Sequence, residues 1–175
     1  PNILFLVLDS WRRDEFNQDN TPNIYNFAPR THQFRQHITG GNRTATGVFS
    51  MFYGLYSDYW ERALSARKGP VLISRLDQLG YRILGMSSEP VEFIDVRKSV
   101  FVDVPHAVHD QWTEKNHEDR DIASVEIIDQ FTAKSSTKPF FAWMLFHSSH
   151  VRYYFPEEFA KYKPYAKQVS YREIS

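Results

Sequence analysis

Three side chains that could act together on an ester stand at the ends of predicted secondary-structure elements: Asp9, Thr44 and His150. A hydroxyl becomes a useful nucleophile when a neighbouring base or a metal ion activates it. A divalent cation between Asp9 and the Thr44 oxygen would lower the pKa of the hydroxyl and neutralise the charge that develops during attack. These residue types therefore predict attack on phosphorus or sulfur, provided that the fold places them at one site.

Thr44 follows a glycine-led turn and opens an apolar-periodic run. Residues 39–54 read TGGNRTATGVFSMFYG, and the apolar residues after Thr44 have the spacing of a buried helix. A hydroxyl at the N-terminus of a helix lies beside unpaired N–H groups and the positive end of the helix dipole, where anions bind. Thr44 is therefore a candidate nucleophile, and the alternative is that it is only the N-cap of the helix.

Asp9 and His150 follow two continuous apolar runs, Ile3–Leu8 and Phe140–Phe146. Such runs are typical of strands that are buried on both faces of a mostly parallel sheet, and ligands bind outside the carboxyl ends of such strands. Asp9 is therefore a candidate metal ligand or base, and the alternative is a cap of the following turn. His147 and His150 leave the same edge of the sheet and are candidates for ligand contact, unless they are simply packed or solvated.

The glycine-led turn supplies two further candidates for substrate binding, Asn42 and Arg43. Arg43 or His150 could hold the anionic oxygens of a bound ester that a metal leaves free. Asn42 also begins an N-glycosylation sequon with Arg43 and Thr44. That short pattern often occurs by chance, and a turn that opens a helix is a poor place for a glycan.

The rest of the chain predicts an α/β fold with a mostly parallel central sheet and helices on both faces. An amphipathic helix that ends in glycine before the next strand is one unit of a doubly wound fold. Residues 106–120 carry three histidines without the close spacing of a metal site, so a solvated loop is favoured there. The other predicted elements are helices over 22–27, 70–79, about 119–133 and 156–162, strands over 31–38 and 81–86, and a possible short strand over 101–104.

Composition excludes several classes of protein. The 175 residues include 21 basic and 21 acidic side chains, so no overall field favours a nucleic-acid partner. Cysteine is absent, which excludes disulfides and thiolate sites. The apolar run near the start is far too short to span a membrane. Because the chain opens on Pro1 directly before a strand and stops at Ser175 in a polar stretch, we expect a single domain over 1–175 that is cut from a longer protein at both ends.

These motifs resemble the sulfatase branch of the alkaline phosphatase superfamily, over essentially the whole chain and as the N-terminal half of that domain. The resemblance rests on the strand that ends in Asp9, the segment TPNIYNFA and the glycine-rich turn before Thr44. The nucleophile segment is similar to that of lipid phosphoethanolamine transferases. A closer likeness, to the YejM-like inner-membrane proteins, is carried by Gly41-Asn42, Thr44, Gly47, Phe49-Ser50, residues 52–55 (FYGL) and Tyr59-Trp60.

The resemblance implies a role for each matching residue. Asp9 matches the first acidic metal ligand, Thr44 matches the nucleophile and a second ligand, and His150 resembles the histidine that contacts the transferred group. It implies one divalent cation, whether Mg, Mn, Zn or Ca, with further ligands beyond Ser175. It also implies a phosphate- or sulfate-ester substrate, such as a lipid head group. The domain would be periplasmic and joined to the inner membrane through an N-terminal membrane domain.

Some residues depart from the family pattern. Sulfatases carry a modified cysteine or serine followed by Pro-Ser-Arg, whereas Thr44 is followed by Ala-Thr-Gly. Hydrolysis of sulfate esters through such a modified residue is therefore not expected. Ser10 stands where many sulfatases have a second acidic ligand, and the downstream Asp-His metal pair is missing, so this chain alone should have little activity. The competing hypothesis is a non-catalytic lipid-binding or regulatory domain, in which the aromatic cluster over 52–60 matters more than Thr44.

Overall fold

One parallel β-sheet with helices on both faces organises the fold. The computed structural model describes residues 1–90, 95–114 and 116–150. Its strands are β1 (Ile3–Leu8), β2 (Arg82–Ser87), β3 (Val108–His109) and β4 (Phe140–Phe146), arranged in the order β1-β4-β2-β3. The helices are α1 (Pro22–Phe27), α2 (Thr44–Tyr53), α3 (Trp60–Ala66), α4 (Val71–Gln78) and α5 (His117–Ala133). The predicted α/β class with a parallel sheet is confirmed.

Strand β4 lies between β1 and β2, and its side chains alternate between two hydrophobic clusters. Trp143 packs with Phe52 of α2 and Ile73 of α4 on one face. Met144, the next residue, packs with Ile128 of α5 on the other face. Successive side chains of a strand point to opposite faces, so an unbroken apolar run requires a helical layer on each side. The prediction of a strand buried on both faces is confirmed for β4.

The same prediction is wrong for one face of β1. Ile3, Phe5 and Val7 pack against the cluster formed with α2 and α4. On the opposite face, the side chains are exposed: Leu4 48%, Leu6 51% and Leu8 37%. The physical reason is position in the sheet, because β1 is an edge strand among the residues that the structure describes and α5 packs over its neighbour β4. The apolar run therefore predicted the strand correctly, but it did not predict that one face of the strand is exposed.

Two other predicted strands are also wrong. Residues 31–38 form no strand, and both large apolar side chains that suggested one, Phe34 and Ile38, are 85% exposed. Residues 101–104 form a turn that buries Phe101 against Trp143, with ring centroids 6.0 Å apart. The short strand of this region is β3, which pairs with the end of β2. The predicted helix over 156–162 lies outside the described residues.

We expect Gly85→Ala to destabilise the protein, because β2 passes close to an aromatic ring at this point. A Cβ atom on Gly85 would lie 2.6 Å from Cε2 and 2.9 Å from Cε1 of Phe101, closer than side chains pack. Overpacking of this kind costs roughly 1–3 kcal/mol of unfolding free energy, measured by urea denaturation. Gly47→Ala in α2 is the control, since its Cβ would meet Thr39 Oγ1 only at 3.5 Å and should be neutral or stabilising. Equal unfolding free energies for both variants would contradict this packing argument.

Candidate active site

Asp9 and Thr44 meet at the carboxyl end of the sheet. Asp9 follows β1, and Thr44 is the first residue of α2. The Thr44 hydroxyl lies 3.5 Å from Oδ1 and 3.3 Å from Oδ2 of Asp9, and it donates to the carboxylate. The structure therefore brings together the two residues that the sequence named as nucleophile and metal ligand, although 35 positions separate them.

The geometry of the turn places Thr44 inside the helix rather than at its cap. The N-cap is Arg43, with extended backbone (φ −127°, ψ 154°), and its N–H donates to Thr46 Oγ1 at 3.3 Å. The first helical hydrogen bond runs from Gly47 N to Arg43 O at 2.8 Å, so the three preceding amides, those of residues 44–46, have no acceptor within the helix. The alternative interpretation of Thr44 as a mere N-cap is therefore wrong, and its hydroxyl is directed to Asp9 instead.

Close packing explains the glycines of this turn. A Cβ atom on Gly41 would lie 2.7 Å from the backbone carbonyl carbon of Thr46, which cannot move without distorting α2. The turn is also tied locally, since the Thr39 hydroxyl donates to Gly41 O at 2.8 Å and the Thr46 hydroxyl donates to Arg43 O at 3.1 Å. The close approach of Gly41 to the backbone of Thr46 sets how the turn meets α2, and the two hydroxyl contacts stabilise the turn.

The backbone of Asp9 is tied to the end of β4. Its N–H donates to Phe146 O at 2.9 Å, and the Ser149 hydroxyl donates to its carbonyl oxygen. The next residue, Ser10, has a left-handed backbone with φ 55°. That conformation costs roughly 1–2 kcal/mol for a residue with a Cβ atom, and it turns the chain immediately after Asp9. The Asp9 side chain, 11% exposed, is thereby held at the sheet edge.

His147 connects Asp9 to a second carboxylate. Its Nδ1 atom lies 3.2 Å from Asp9 Oδ2, and its Nε2 atom lies 3.1 Å from Glu89 Oε2. The loop that carries it is held by Asp121 of α5, whose carboxylate oxygens accept from His147 N at 3.2 Å and from Ser148 N at 3.0 Å. The imidazole therefore sits in a fixed position between the ends of β1 and β2.

The three candidates for substrate binding occupy different surroundings. The His150 ring stacks on His147 with centroids 4.5 Å apart and planes 16° apart, which places it in the cluster with Asp9. Asn42 and Arg43 are exposed and line a shallow groove that Asp58 and Glu61 also line. Acidic neighbours make that groove unfavourable for an anion, so of the three, His150 is the one that the described structure gathers with Asp9 and Thr44.

Two members of this cluster, Glu89 and His117, were not identified from the sequence. Glu89 follows β2, and the same strand-end argument that selected Asp9 would have found it. His117 was assigned to a solvated loop, but it is the first residue of α5 and lies with Nδ1 3.5 Å from Glu89 Oε2. The helix begins there because the Asn116 side chain accepts from Asp119 N at 3.1 Å. The loop prediction is therefore wrong for His117.

The pKa values of Asp9 and His147 shift in opposite directions. Burial raises the pKa of Asp9, but the contact with His147 and the charge of that ring, helped by His150 and Thr44, outweigh burial and leave the pKa below its usual value. Burial lowers the pKa of His147, but Asp9 and then Glu89 outweigh it and leave that pKa raised. Asp9 is therefore anionic at neutral pH, which is the form that binds a cation.

Sequence comparisons relate the chain to known proteins. A protein-family model described as Sulfatase matches residues 1–173. The inner membrane protein YejM of Salmonella typhimurium is 33% identical over 88 residues, which make up 50% of this chain and 15% of that protein. YejM of Salmonella typhi matches to the same extent. A Haemophilus influenzae protein that carries only the name "uncharacterized protein" is 25% identical over 144 residues, 82% of this chain and 24% of that protein.

The chain spans between 15% and 24% of the length of these curated relatives. Within the described ranges, no helix has both the length and the apolar character that crossing a membrane requires. The match to the family model extends over nearly all of the sequence, and the parallel sheet with its strand-end cluster agrees with it. The chain belongs to the sulfatase family.

Proposed function

We propose that this chain is part of a metal-dependent hydrolase or transferase that acts on phosphoryl or sulfuryl esters through Thr44. The observation that carries the proposal is the Thr44 hydroxyl, 3.3 Å from Asp9 Oδ2 at the open N-terminus of α2. An alcohol held against a carboxylate and beside amides that have no acceptor within the helix is arranged to attack an anionic centre. Both groups also lie at the carboxyl ends of the strands, where ligands of α/β proteins bind.

Asp9 and Thr44 would hold the cation. Members of the sulfatase family generally use a divalent metal ion. The two side chains present an anionic carboxylate and a hydroxyl oxygen close together, which fits a hard cation such as Mg²⁺ or Mn²⁺. Such an ion supplies neutralisation of charge on the reacting group and lowers the pKa of the hydroxyl. Two side chains do not complete a coordination sphere, so the proposal includes further ligands beyond Ser175.

In the proposed reaction, Thr44 Oγ1 forms a bond to phosphorus or sulfur as the ester bond to the leaving alcohol breaks. The alcohol leaves with the electron pair of that bond and takes up one proton, while Thr44 gives one up, so the step is balanced. Water or a second alcohol then attacks the threonyl ester and restores the hydroxyl. The amides of residues 44–46 face the developing negative charge, and His150, which lies in the cluster with Asp9, contacts the other anionic oxygens.

The cellular setting is part of the proposal. The similarity to proteins named inner membrane protein YejM supports a periplasmic domain that is anchored to the inner membrane by another part of the protein. A substrate at that surface would be a phosphate or sulfate ester such as a lipid head group. The proposal includes no nucleic-acid partner, because equal numbers of acidic and basic side chains create no overall field that would attract one.

Trapping the covalent intermediate tests the proposal. Full-length protein is mixed with an aryl phosphate, quenched in acid and digested, and the peptides are analysed by mass spectrometry. We expect one phosphoryl group on Thr44, and we expect the Thr46→Ala variant to be labelled as well, because Thr46 contacts the turn and not Asp9. Turnover without any label on Thr44, or with the label on another residue, would refute the nucleophile assignment.

A second candidate function is lipid binding without turnover. It is favoured by a group of apolar side chains that are exposed beside the end of α2, namely Met51 at 40%, Leu55 at 43%, Tyr56 at 76% and Tyr59 at 49%. Other members of the aromatic cluster are internal, since Phe52 is buried and the Trp60 ring packs on Phe49 at 5.6 Å. An exposed apolar patch of this kind suits a lipid surface or a protein partner.

A further inference from the structure

Beyond the cation assigned to Asp9 and Thr44, a separate set of ligand atoms converges at the ends of β2 and β4. We propose that Glu89, His117 and His147 form a second cation site, selective for zinc and similar borderline metals. One ligand atom from each residue lies within 4.8 Å of the others. The three side chains come from the loop after β2, the start of α5 and the loop after β4, so the fold rather than the local sequence assembles them.

Two of the three distances between the ligand atoms fit a tetrahedral ion, and the third is within 4.8 Å. With metal–ligand bonds of about 2.0–2.1 Å, neighbouring ligand atoms of a tetrahedral site lie roughly 3.3 Å apart. Glu89 Oε2 is 3.1 Å from His147 Nε2 and 3.5 Å from His117 Nδ1. A small inward adjustment of the two imidazoles would therefore complete three positions around a zinc ion. The fourth position is left for water, the backbone or a substrate oxygen.

An unsatisfied polar atom points to the same ligand. Glu89 Oε2 is inaccessible to solvent and makes no well-directed hydrogen bond within the described part of the chain. A buried carboxylate oxygen without a hydrogen bond lowers the stability of the fold unless it contacts an ion or a water molecule. Since the nearest partners of Glu89 Oε2 are imidazole nitrogens, a cation that ligates all three side chains accounts for the arrangement.

The surroundings would hold the imidazole of His147 in the right orientation. Asp9 Oδ2 lies 3.2 Å from Nδ1, on the opposite side of the ring from Glu89. Metal-binding histidines characteristically present their second nitrogen to a carboxylate, which fixes the tautomer and the ring plane. Asp121 adds a second restraint by holding the backbone of His147. Asp9 would thus serve two cations differently, as a ligand of one and a hydrogen-bond acceptor for a ligand of the other.

Donor chemistry distinguishes the two sites. Asp9 and Thr44 offer only oxygen, which suits Mg²⁺, Ca²⁺ or Mn²⁺, whereas two imidazoles and a carboxylate suit Zn²⁺. The second site does not depend on Thr44 being a nucleophile, because Thr44 contributes no ligand to it. Zinc binding at Glu89 and failure of Thr44 chemistry are therefore separate outcomes.

The test measures Zn²⁺ binding to full-length, metal-stripped protein by competition with a chromophoric chelator in excess Mg²⁺. We expect Glu89→Gln and His117→Gln each to lose one Zn²⁺ equivalent or to bind it at least ~100-fold more weakly, since even supporting residues of metal sites cost 10- to 100-fold. His106→Gln is the matched control, because His106 is exposed and lies outside the cluster. Thr44→Ala should keep the zinc equivalent that the two ligand variants lose.

Circular dichroism in EDTA establishes that each variant is folded. Glu89 and His117 lie on different elements, so either folded variant decides the question alone. Wild-type Zn²⁺ affinity and stoichiometry in a folded Glu89→Gln or His117→Gln protein would overturn the proposal. Displacement of the zinc equivalent by Mg²⁺ would overturn it too, because an imidazole site should not accept magnesium in preference.

Discussion

Thr44→Ala should lower turnover of a phosphate or sulfate ester by at least ~10³-fold, because single removal of a nucleophile leaves only binding and charge stabilisation. The methyl side chain of alanine cannot form the threonyl ester, and it removes the hydroxyl that donates to Asp9. The effect should appear in kcat, with a smaller change in KM, since the amides of residues 44–46 remain. Steady-state kinetics of the full-length protein on an aryl phosphate measure it.

Two variants separate loss of the nucleophile from loss of structure. Thr46→Ala removes a contact with the Arg43 backbone and should lower the unfolding free energy by about 1 kcal/mol while turnover is kept. Thr44→Ser restores a hydroxyl at the same position and should recover part of kcat. Ester turnover that survives Thr44→Ala would refute Thr44 as the nucleophile, whereas a wild-type full-length protein without any ester turnover would favour the lipid-binding function.

Asp9→Asn should remove the cation at Thr44 and abolish measurable turnover with it. The amide has the shape of the carboxylate but no negative charge, and its NH₂ group would face the cation if it kept the present orientation. We expect the affinity for Mn²⁺ to fall at least ~100-fold, because loss of a ligand should exceed the 10- to 100-fold cost of losing a supporting residue. Titration of metal-stripped full-length protein with Mn²⁺, followed by electron paramagnetic resonance of the free ion, provides the measurement.

Asp14→Asn is the matched control for that experiment. Asp14 is exposed and its carboxylate pairs with Arg12, so its charge lies outside the cluster. Its loss should leave Mn²⁺ affinity and turnover unchanged, since exposed ion pairs contribute little. Unchanged Mn²⁺ affinity in a folded Asp9→Asn protein would show that the first cation does not depend on this carboxylate.

Asp9 and Thr44 could be predicted from the sequence because each is marked by the residue pattern of its own strand or helix. An unbroken apolar run indicated β1 and hence a strand end at Asp9, and a glycine-led turn before a periodic run indicated the start of α2 at Thr44. Parallel strands expose their carboxyl ends at one edge, so the two residues could be expected on the same side of the sheet. Their separation and the direction of the hydroxyl could not be known without the fold.

Glu89 and His117 were missed because their proximity depends on strand order. The sheet order β1-β4-β2-β3 places the end of β2 beside the end of β4, and no local pattern encodes that neighbourhood. The exposed face of β1 was also missed because of strand order. The edge strand β1 and the central strand β4 have equally apolar sequences, so the sequence does not show which of them is covered on both faces. Residues 31–38 were predicted as a strand from a loose alternation of apolar and polar residues. They form no strand, because such a segment needs a neighbouring strand to pair with.

The most direct test of the account is the position of the first cation. Crystals of the full-length protein soaked in Mn²⁺ would be measured at a wavelength where manganese scatters anomalously. We predict a peak within about 2.0–2.6 Å of both an Asp9 carboxylate oxygen and Thr44 Oγ1. A lack of manganese at Asp9, or manganese bound to Asp9 with the Thr44 hydroxyl turned away from it, would contradict the proposed activation of Thr44.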